Sequence, residues 1–239
     1  MSEIAVQLKI TRARIAQAEH AARRPAGSVA LLAVSKTCPA EAVREAFAAG
    51  QRAFGENYVQ EALDKITALA DLREQLEWHF IGPLQSNKTR AVAEHFDWVH
   101  SVDRLKIAQR LAAQRPAHLP PLNVCLQVNI SGEASKSGVS AAEAKATAHA
   151  IAALPGLRLR GLMAIPEAAA EFAAQRLPHR RLSDLFKALC ADGLDLDTLS
   201  AGMSADLEAA VLEGATLVRI GTAIFGARTY PPAAADPAA

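Results

Sequence analysis

Short apolar runs alternate with stretches of helical period along this chain, eight times over after an opening helix. Ile4, Leu8 and Ile15, with Val6 nearby, mark that amphipathic helix, which ends before Pro25-Ala26-Gly27. Leu31-Leu32-Ala33-Val34 then starts an apolar, β-branched run that predicts a buried strand to about Lys36. Pro39 suits the first turn of a helix over 39–49, and Gly50 suits its C-terminal stop. A second strand is predicted over 52–55, with a helix opening at Glu56-Asn57 and running to about Ala70. A third strand over 77–81 is broken by Gly82-Pro83 and followed by a helix near 86–95. The fourth strand spans 98–101, and Asp103 caps a helix to about Arg115.

The fifth strand, 122–130, has the strictest alternation. Leu122, Val124, Leu126, Val128 and Ile130 form one face; Asn123, Cys125, Gln127 and Asn129 form the other. One face would pack on outer helices and the other would point into a barrel with a polar interior. A loop over 131–138, an Ala-rich helix over 141–153 and a sixth strand over 157–165 follow. A long helix near 172–191 leads to a short seventh strand at 197–199, a small-residue loop over 200–204 and a helix over 206–213. The eighth strand, 216–220, ends on Gly221-Thr222. Eight strands alternating with helices imply parallel pairing, and eight such units in about 230 residues match a (β/α)8 TIM barrel. A doubly wound open sheet is the alternative, but neither end shows edge-protecting Pro or Lys. We read one domain over 1–229, with a disordered Pro/Ala-rich tail over 230–239.

Composition narrows the function. A hydrophobic content of 51% sustains a large core, and a net charge of +1 gives no electrostatic case for nucleic acid or an anionic membrane. No run of about 18 apolar residues exists to span a bilayer. The N-terminus is charged and helix-periodic, unlike a signal peptide. Cys38, Cys125 and Cys190 are scattered and odd in number, which fits a reducing cytosol and no metal spacing. The thiol of Cys38 lies near a helix start, where its pKa can fall; an inert thiol is the other reading.

The active face of such a barrel lies at the C-terminal ends of its strands. Lys36 stands there, on the face of Leu32 and Val34. Desolvation beside that strand would favour the neutral amine, which suits Schiff-base chemistry with an aldehyde. A strand-end lysine can equally snorkel to water. The loops after strands seven and eight carry Ser200, Gly202, Ser204, Gly221 and Thr222, small residues suited to a phosphate or to tight turns. Arg219 sits in an apolar strand, facing away from Val218 and Ile220. It needs an acceptor, either a carboxylate or a ring nitrogen of a bound cofactor. Barrel closure would bring Arg219 near Lys36. An amine, a phosphate cradle and a ring-nitrogen donor together outline pyridoxal 5′-phosphate (PLP). For His79, a structural strand-end role and ring stacking stand equal. Asn57 also reads as an N-cap residue and Met163 as core.

The segments 31–37, 54–61 (FGENYVQE), 78–88 (WHFIGPLQSNK), 161–165 (GLMAI), 200–204 (SAGMS) and 218–226 (VRIGTAIFG) resemble the pyridoxal phosphate homeostasis protein family, in order over about 31–228. The resemblance implies the fold of the alanine racemase N-terminal barrel, PLP held as a Schiff base on Lys36, and no established catalytic activity. It implies that Ser200, Gly221 and Thr222 hold the phosphate and that Arg219 faces the pyridine nitrogen. Asn57, His79, Met163 and Ser204 would line the pocket. Nothing is carried over to 168–181, which match least. The expected function is a cytoplasmic, monomeric carrier that buffers PLP in vitamin B6 and amino-acid homeostasis, with apo PLP-dependent enzymes as its recipients. The alternative is a PLP-dependent, racemase-like enzyme. Against it, the chain ends soon after strand eight, where racemases continue into a β-domain, and its tyrosines are Tyr58 and Tyr230 alone. Lys136, the one amine in the 131–138 loop, would gate the pocket or remain a solvated loop lysine.

Overall fold

A computed structural model describes residues 2–133 and 136–226. Its eight strands are β1 (Ala30–Val34), β2 (Ala53–Glu56), β3 (Glu77–Phe80), β4 (Trp98–Val102), β5 (Leu122–Gln127), β6 (Leu157–Met163), β7 (Thr198–Ser200) and β8 (Leu217–Ile220). They pair in parallel in chain order, and β8 returns to β1, so the sheet closes into a barrel. Closure removes both edges and with them the open-sheet alternative. The connecting helices are α1 (Glu3–Ala21), α2 (Ala40–Ala48), α3 (Val59–Ala68), α4 (Thr89–His95), α5 (Leu105–Gln114), α6 (Ala141–Ala152), α7 (Phe172–Ala191), α8 (Leu207–Leu212) and α9 (Thr222–Phe225). A 3-10 turn at Ala70–Gln75 joins α3 to β3.

The barrel separates two cores. Ala33, Phe54, Val124, Leu126, Val218 and Ile220 pack outward against the helices in one large cluster. Trp98, Cys125 and Met163 form a second cluster inside the barrel. The alternation in β5 has this cause: its apolar face meets helices and Cys125 turns inward. Burial pushes the Cys125 thiol up to about 12, against the pull of Arg219, so it stays protonated.

Several boundaries differ from expectation. Glu56 does not open a helix; it ends β2, and α3 begins three residues later. The N-cap of α3 is therefore Tyr58, not Asn57. Asp103 does not cap α5: Arg104 holds that position without a side-chain cap, and Asp103 pairs with its neighbour's guanidinium at 2.8 Å. Strand β5 stops at Gln127 because the chain folds back, with Val139 bridging to Val128. Gly138 makes that return possible at φ 123°, where a Cβ would stand 2.6 Å from the Asn129 nitrogen. Val6, named near the apolar positions of the opening helix, is exposed. Residues 134–135 and the 230–239 tail, expected to be disordered, lie outside the described residues. Among the described residues no helix is long and apolar enough to cross a membrane.

Candidate functional site

Lys36 lies just past the end of β1, partly buried, at the C-terminal mouth of the barrel. The turn around it is braced from α3. Thr37 adopts φ 64°, a left-handed conformation costly for a β-branched residue, and its N–H donates to Glu61 Oε1 at 2.5 Å. Lys65, one helical turn beyond Glu61, is buried and donates to Ser35 O (2.7 Å), Glu56 Oε1 (2.8 Å) and Glu61 Oε1 (2.6 Å). Ser35 Oγ closes the network on Glu56 Oε1 at 2.6 Å. Burial pushes the Glu56 carboxyl up, against the pull of Lys65 and Ser35. Residues 35 and 37, which flank Lys36, are thus both anchored to α3.

Arg219 lies deeper. Leu32 of β1 stands opposite Arg219 of β8 in the parallel register. Lys36 is four residues farther along the chain from Leu32, in the turn that follows β1 at the C-terminal mouth. Closure therefore sets the Lys36 turn on the mouth side of Arg219. Arg219 donates to Ser200 Oγ (2.7 Å) and to Ala164 O (2.9 Å). Desolvation lowers its pKa to about 10, which leaves it charged at neutral pH. Neither acceptor is a carboxylate, so the anticipated structural ion pair is not what holds it.

Ser200, expected at the phosphate, has both its hydroxyl contacts inside the barrel. Its hydroxyl is fully buried and lies between Arg219 and His100 Nδ1, the latter at 2.8 Å. It orients the guanidinium. His79 and Met163 are also sealed inside the barrel rather than lining an open wall. His79 does stack, but on Trp98, at 5.3 Å between ring centroids and 10° between planes. Met163 packs on Trp98 and Cys125. Asn57 sits at the rim with its Oδ1 buried and lacking a hydrogen-bond partner among the described residues.

The loops after β7 and β8 carry the small residues. Gly202 turns at φ 94°, where a Cβ would stand 2.6 Å from Ala210 Cβ, so glycine alone fits. Asp206 fixes this loop by accepting from Met203 N at 2.7 Å and contacting His179 Nε2 at 2.9 Å. Burial pushes the Asp206 carboxyl up, but His179 and the Met203 amide outweigh it and hold the group below its ordinary range. Ser204 is half-buried on that loop. Gly221 precedes α9 and Thr222 begins it with an exposed side chain. Across the mouth, Lys136 pairs with Glu133 at 2.6 Å and lines a cavity of about 240 Å³ with Gln127, Asn129, Ile81 and Ile165. The expected loop lysine therefore faces the site side of the barrel.

Sequence reasoning did not assign Glu56, Glu61, Lys65 or His100. The Glu61–Lys65 spacing reads as an ordinary surface pair, and only tertiary packing buries it. His100 had a legible signal: it alternates with Trp98 along β4 and so shares its inward face.

Comparison with known proteins agrees with this geometry. Residues 6–229 match the family model for the alanine racemase N-terminal domain. The pyridoxal phosphate homeostasis protein of Pseudomonas aeruginosa is 66% identical over 230 residues, covering 96% of this chain and 98% of the relative. Its Escherichia coli counterpart is 57% identical over 231 residues, covering 96% and 99%. The solved structure of PipY of Synechococcus elongatus, with PLP bound, is 40% identical at a TM-score of 0.81, covering 93% of this chain and all of PipY.

Proposed function

The chain belongs to the alanine racemase N-terminal domain family and, within it, to the pyridoxal phosphate homeostasis proteins, and from that premise we propose that it binds PLP and carries and buffers it in vitamin B6 and amino-acid homeostasis. The observation that supports this reading is the pairing of β8 with β1, which sets the turn carrying Lys36 on the mouth side of a buried, charged Arg219. The donor set fits the cofactor. PLP supplies an aldehyde and an electron-accepting ring. Lys36 is the residue we assign to hold it covalently, by condensation of its amine with that aldehyde and loss of water. Arg219 would donate to the ring nitrogen. Ser204, Gly221 and Thr222, on the loops after β7 and β8, would hold the phosphate, and Asn57 offers an unpartnered acceptor at the wall. His79, Met163 and Ser200 support the floor from beneath.

The relatives are named homeostasis proteins rather than enzymes. A guanidinium at the ring nitrogen disfavours ring protonation and weakens carbanion chemistry, which supports a carrier over a racemase-like enzyme. Apo PLP-dependent enzymes are the recipients this reading implies. Borohydride reduction of the loaded protein followed by peptide mapping tests it. We expect one modified peptide, carrying the label on Lys36. A label on another lysine, or none, overturns the assignment.

A further inference from the structure

A line of polar groups crosses the barrel interior beneath the site. Arg219 Nη1 donates to Ser200 Oγ at 2.7 Å; Ser200 Oγ lies 2.8 Å from His100 Nδ1; His100 Nε2 lies 2.9 Å from His79 Nδ1. His79 Nε2 then faces Glu77 Oε2 at 3.3 Å, a contact without hydrogen-bond alignment. Glu77 is the first residue of β3, at the end of the barrel opposite Lys36, with its side chain half-exposed. The four groups, Arg219, Ser200, His100 and His79, come from four strands, β8, β7, β4 and β3, and are buried.

The hydrogens in this line have one consistent arrangement. Arginine only donates, so Ser200 Oγ accepts from it and directs its own hydrogen to His100 Nδ1. His100 then carries its proton on Nε2 and donates to His79 Nδ1. His79 carries its proton on Nε2, aimed toward the Glu77 carboxylate. The reverse order would leave the Ser200 hydrogen without an acceptor and turn a ring lone pair toward that carboxylate, both unfavourable in a dry interior. Both imidazoles are neutral in this arrangement. Burial, with His79 and Arg219 nearby, holds the pKa of His100 well below the ordinary histidine value. The contact with His79 holds Glu77 below the usual carboxylate range, against its own burial. The other charged or titratable groups facing the line are Arg160, over the Trp98 ring and paired with Asp197, and Asp206 and Cys125 beside Arg219. Trp98 anchors Glu77 from the side, donating to Oε1 at 2.8 Å.

We propose that His100 and His79 are positioning residues that fix the orientation of Arg219 through Ser200 and connect it to Glu77 at the far end of the barrel. The proposal rests on the PLP reading for its consequence, since Arg219 is the group assigned to the ring nitrogen. Two of the five guanidinium N–H groups are committed to Ser200 and Ala164. The rest are directed by that commitment. Loss of the chain lets the guanidinium turn, and cofactor binding weakens although no residue touching the cofactor has changed.

The test has two arms. In cofactor-free and loaded protein, ¹⁵N NMR of the histidine rings reads the tautomers directly at neutral pH. Both His79 and His100 are expected with the proton on Nε2. A proton on Nδ1 of His100, or a doubly protonated ring, overturns the chain. In the second arm, His100→Leu is expected to weaken PLP binding about tenfold and to shift the visible band of the loaded protein, the scale of one buried charge-linked hydrogen bond. His100→Asn, which keeps an amide within reach of Ser200, is expected to recover most of both. Glu77→Gln, at a half-exposed position that tolerates the change, is expected to displace the His79 ring signals and the visible band. A borohydride label on Lys36 with parent-like binding and spectra in His100→Leu and Glu77→Gln sinks the inference and leaves the carrier reading intact. A label elsewhere sinks the carrier reading, while the NMR arm still decides the chain.

Discussion

The backbone N–H of Thr37 donates to the Glu61 carboxylate at 2.5 Å, so the residue after Lys36 is held by the helix that follows the next strand. The left-handed φ of Thr37 persists because Glu61 and Lys65 over-determine it. Lys65→Met would leave the Glu56 carboxyl buried without its cation. We expect a loss of about 3–5 kcal/mol of unfolding free energy in urea titration. Glu61→Ala removes the anchor at its exposed end and should cost less, about 1–2 kcal/mol, while loosening the Lys36 turn. Its signature is cofactor dissociation that quickens more than stability falls. Parent-like dissociation in Glu61→Ala would mean that the turn holds itself.

Acid should loosen the 200–204 loop through Asp206. Its folded pKa lies below the ordinary 3.8, so its contribution is present above that value and disappears as pH falls through the lower folded one. The parent should therefore keep this contribution down to about pH 4 and lose it below. In Asp206→Asn the contribution is absent throughout, leaving a smaller stability difference from the parent at pH 3 than at pH 7. Denaturant midpoints at the two pH values check this. A difference independent of pH would assign the loss to packing instead of charge.

The sequence pattern carried the barrel because eight apolar runs of strand length, separated by helical period, admit few closed arrangements. Strand β5 shows why it worked so well: its two faces meet two cores of different chemistry. The inward direction of Arg219 followed from the same alternation. What alternation could not reveal was depth. Ser200 and Thr222 both stand at strand ends, yet Ser200 Oγ is sealed between Arg219 and His100 while the Thr222 side chain is exposed. Nor does a Glu–Lys pair one turn apart announce that its lysine is buried under a neighbouring strand. Those facts depend on how far each element penetrates, which registers across the sheet decide.

Reversing the charge at Arg219 should change chemistry more than it changes the fold. In Arg219→Glu a carboxylate replaces the guanidinium, and a protonated ring nitrogen becomes the favoured partner. The ring then becomes a stronger electron sink. We expect a displaced visible band and measurable deuterium exchange at the α-carbon of added amino acids, followed by NMR in D₂O. Ala164 O loses its donor, so a stability loss of about 1–3 kcal/mol should accompany it. A variant that binds and absorbs like the parent would make Arg219 a purely structural group.

Release is what separates a carrier from an enzyme that retains its cofactor, and Lys136 is placed to influence it. It stands on the loop after β5, pairs with Glu133 at 2.6 Å and lines the cavity beside the mouth with Gln127 and Asn129. Asn129 organises that loop by donating to Glu133 O at 2.7 Å and Lys136 O at 3.3 Å. An amine so held can swing from Glu133 toward a departing phosphate without refolding the loop. The partly exposed ion pair it would exchange is worth up to about 1 kcal/mol, which sets the scale of the kinetic effect. With PLP preloaded on Lys36, transfer to an apo-enzyme acceptor should be about two- to fivefold slower from Lys136→Ala than from the parent. Binding at Lys36 itself should stay unchanged, since Lys136 lies across the mouth. Equal transfer rates with equal affinities would remove Lys136 from release and leave it as the partner of Glu133.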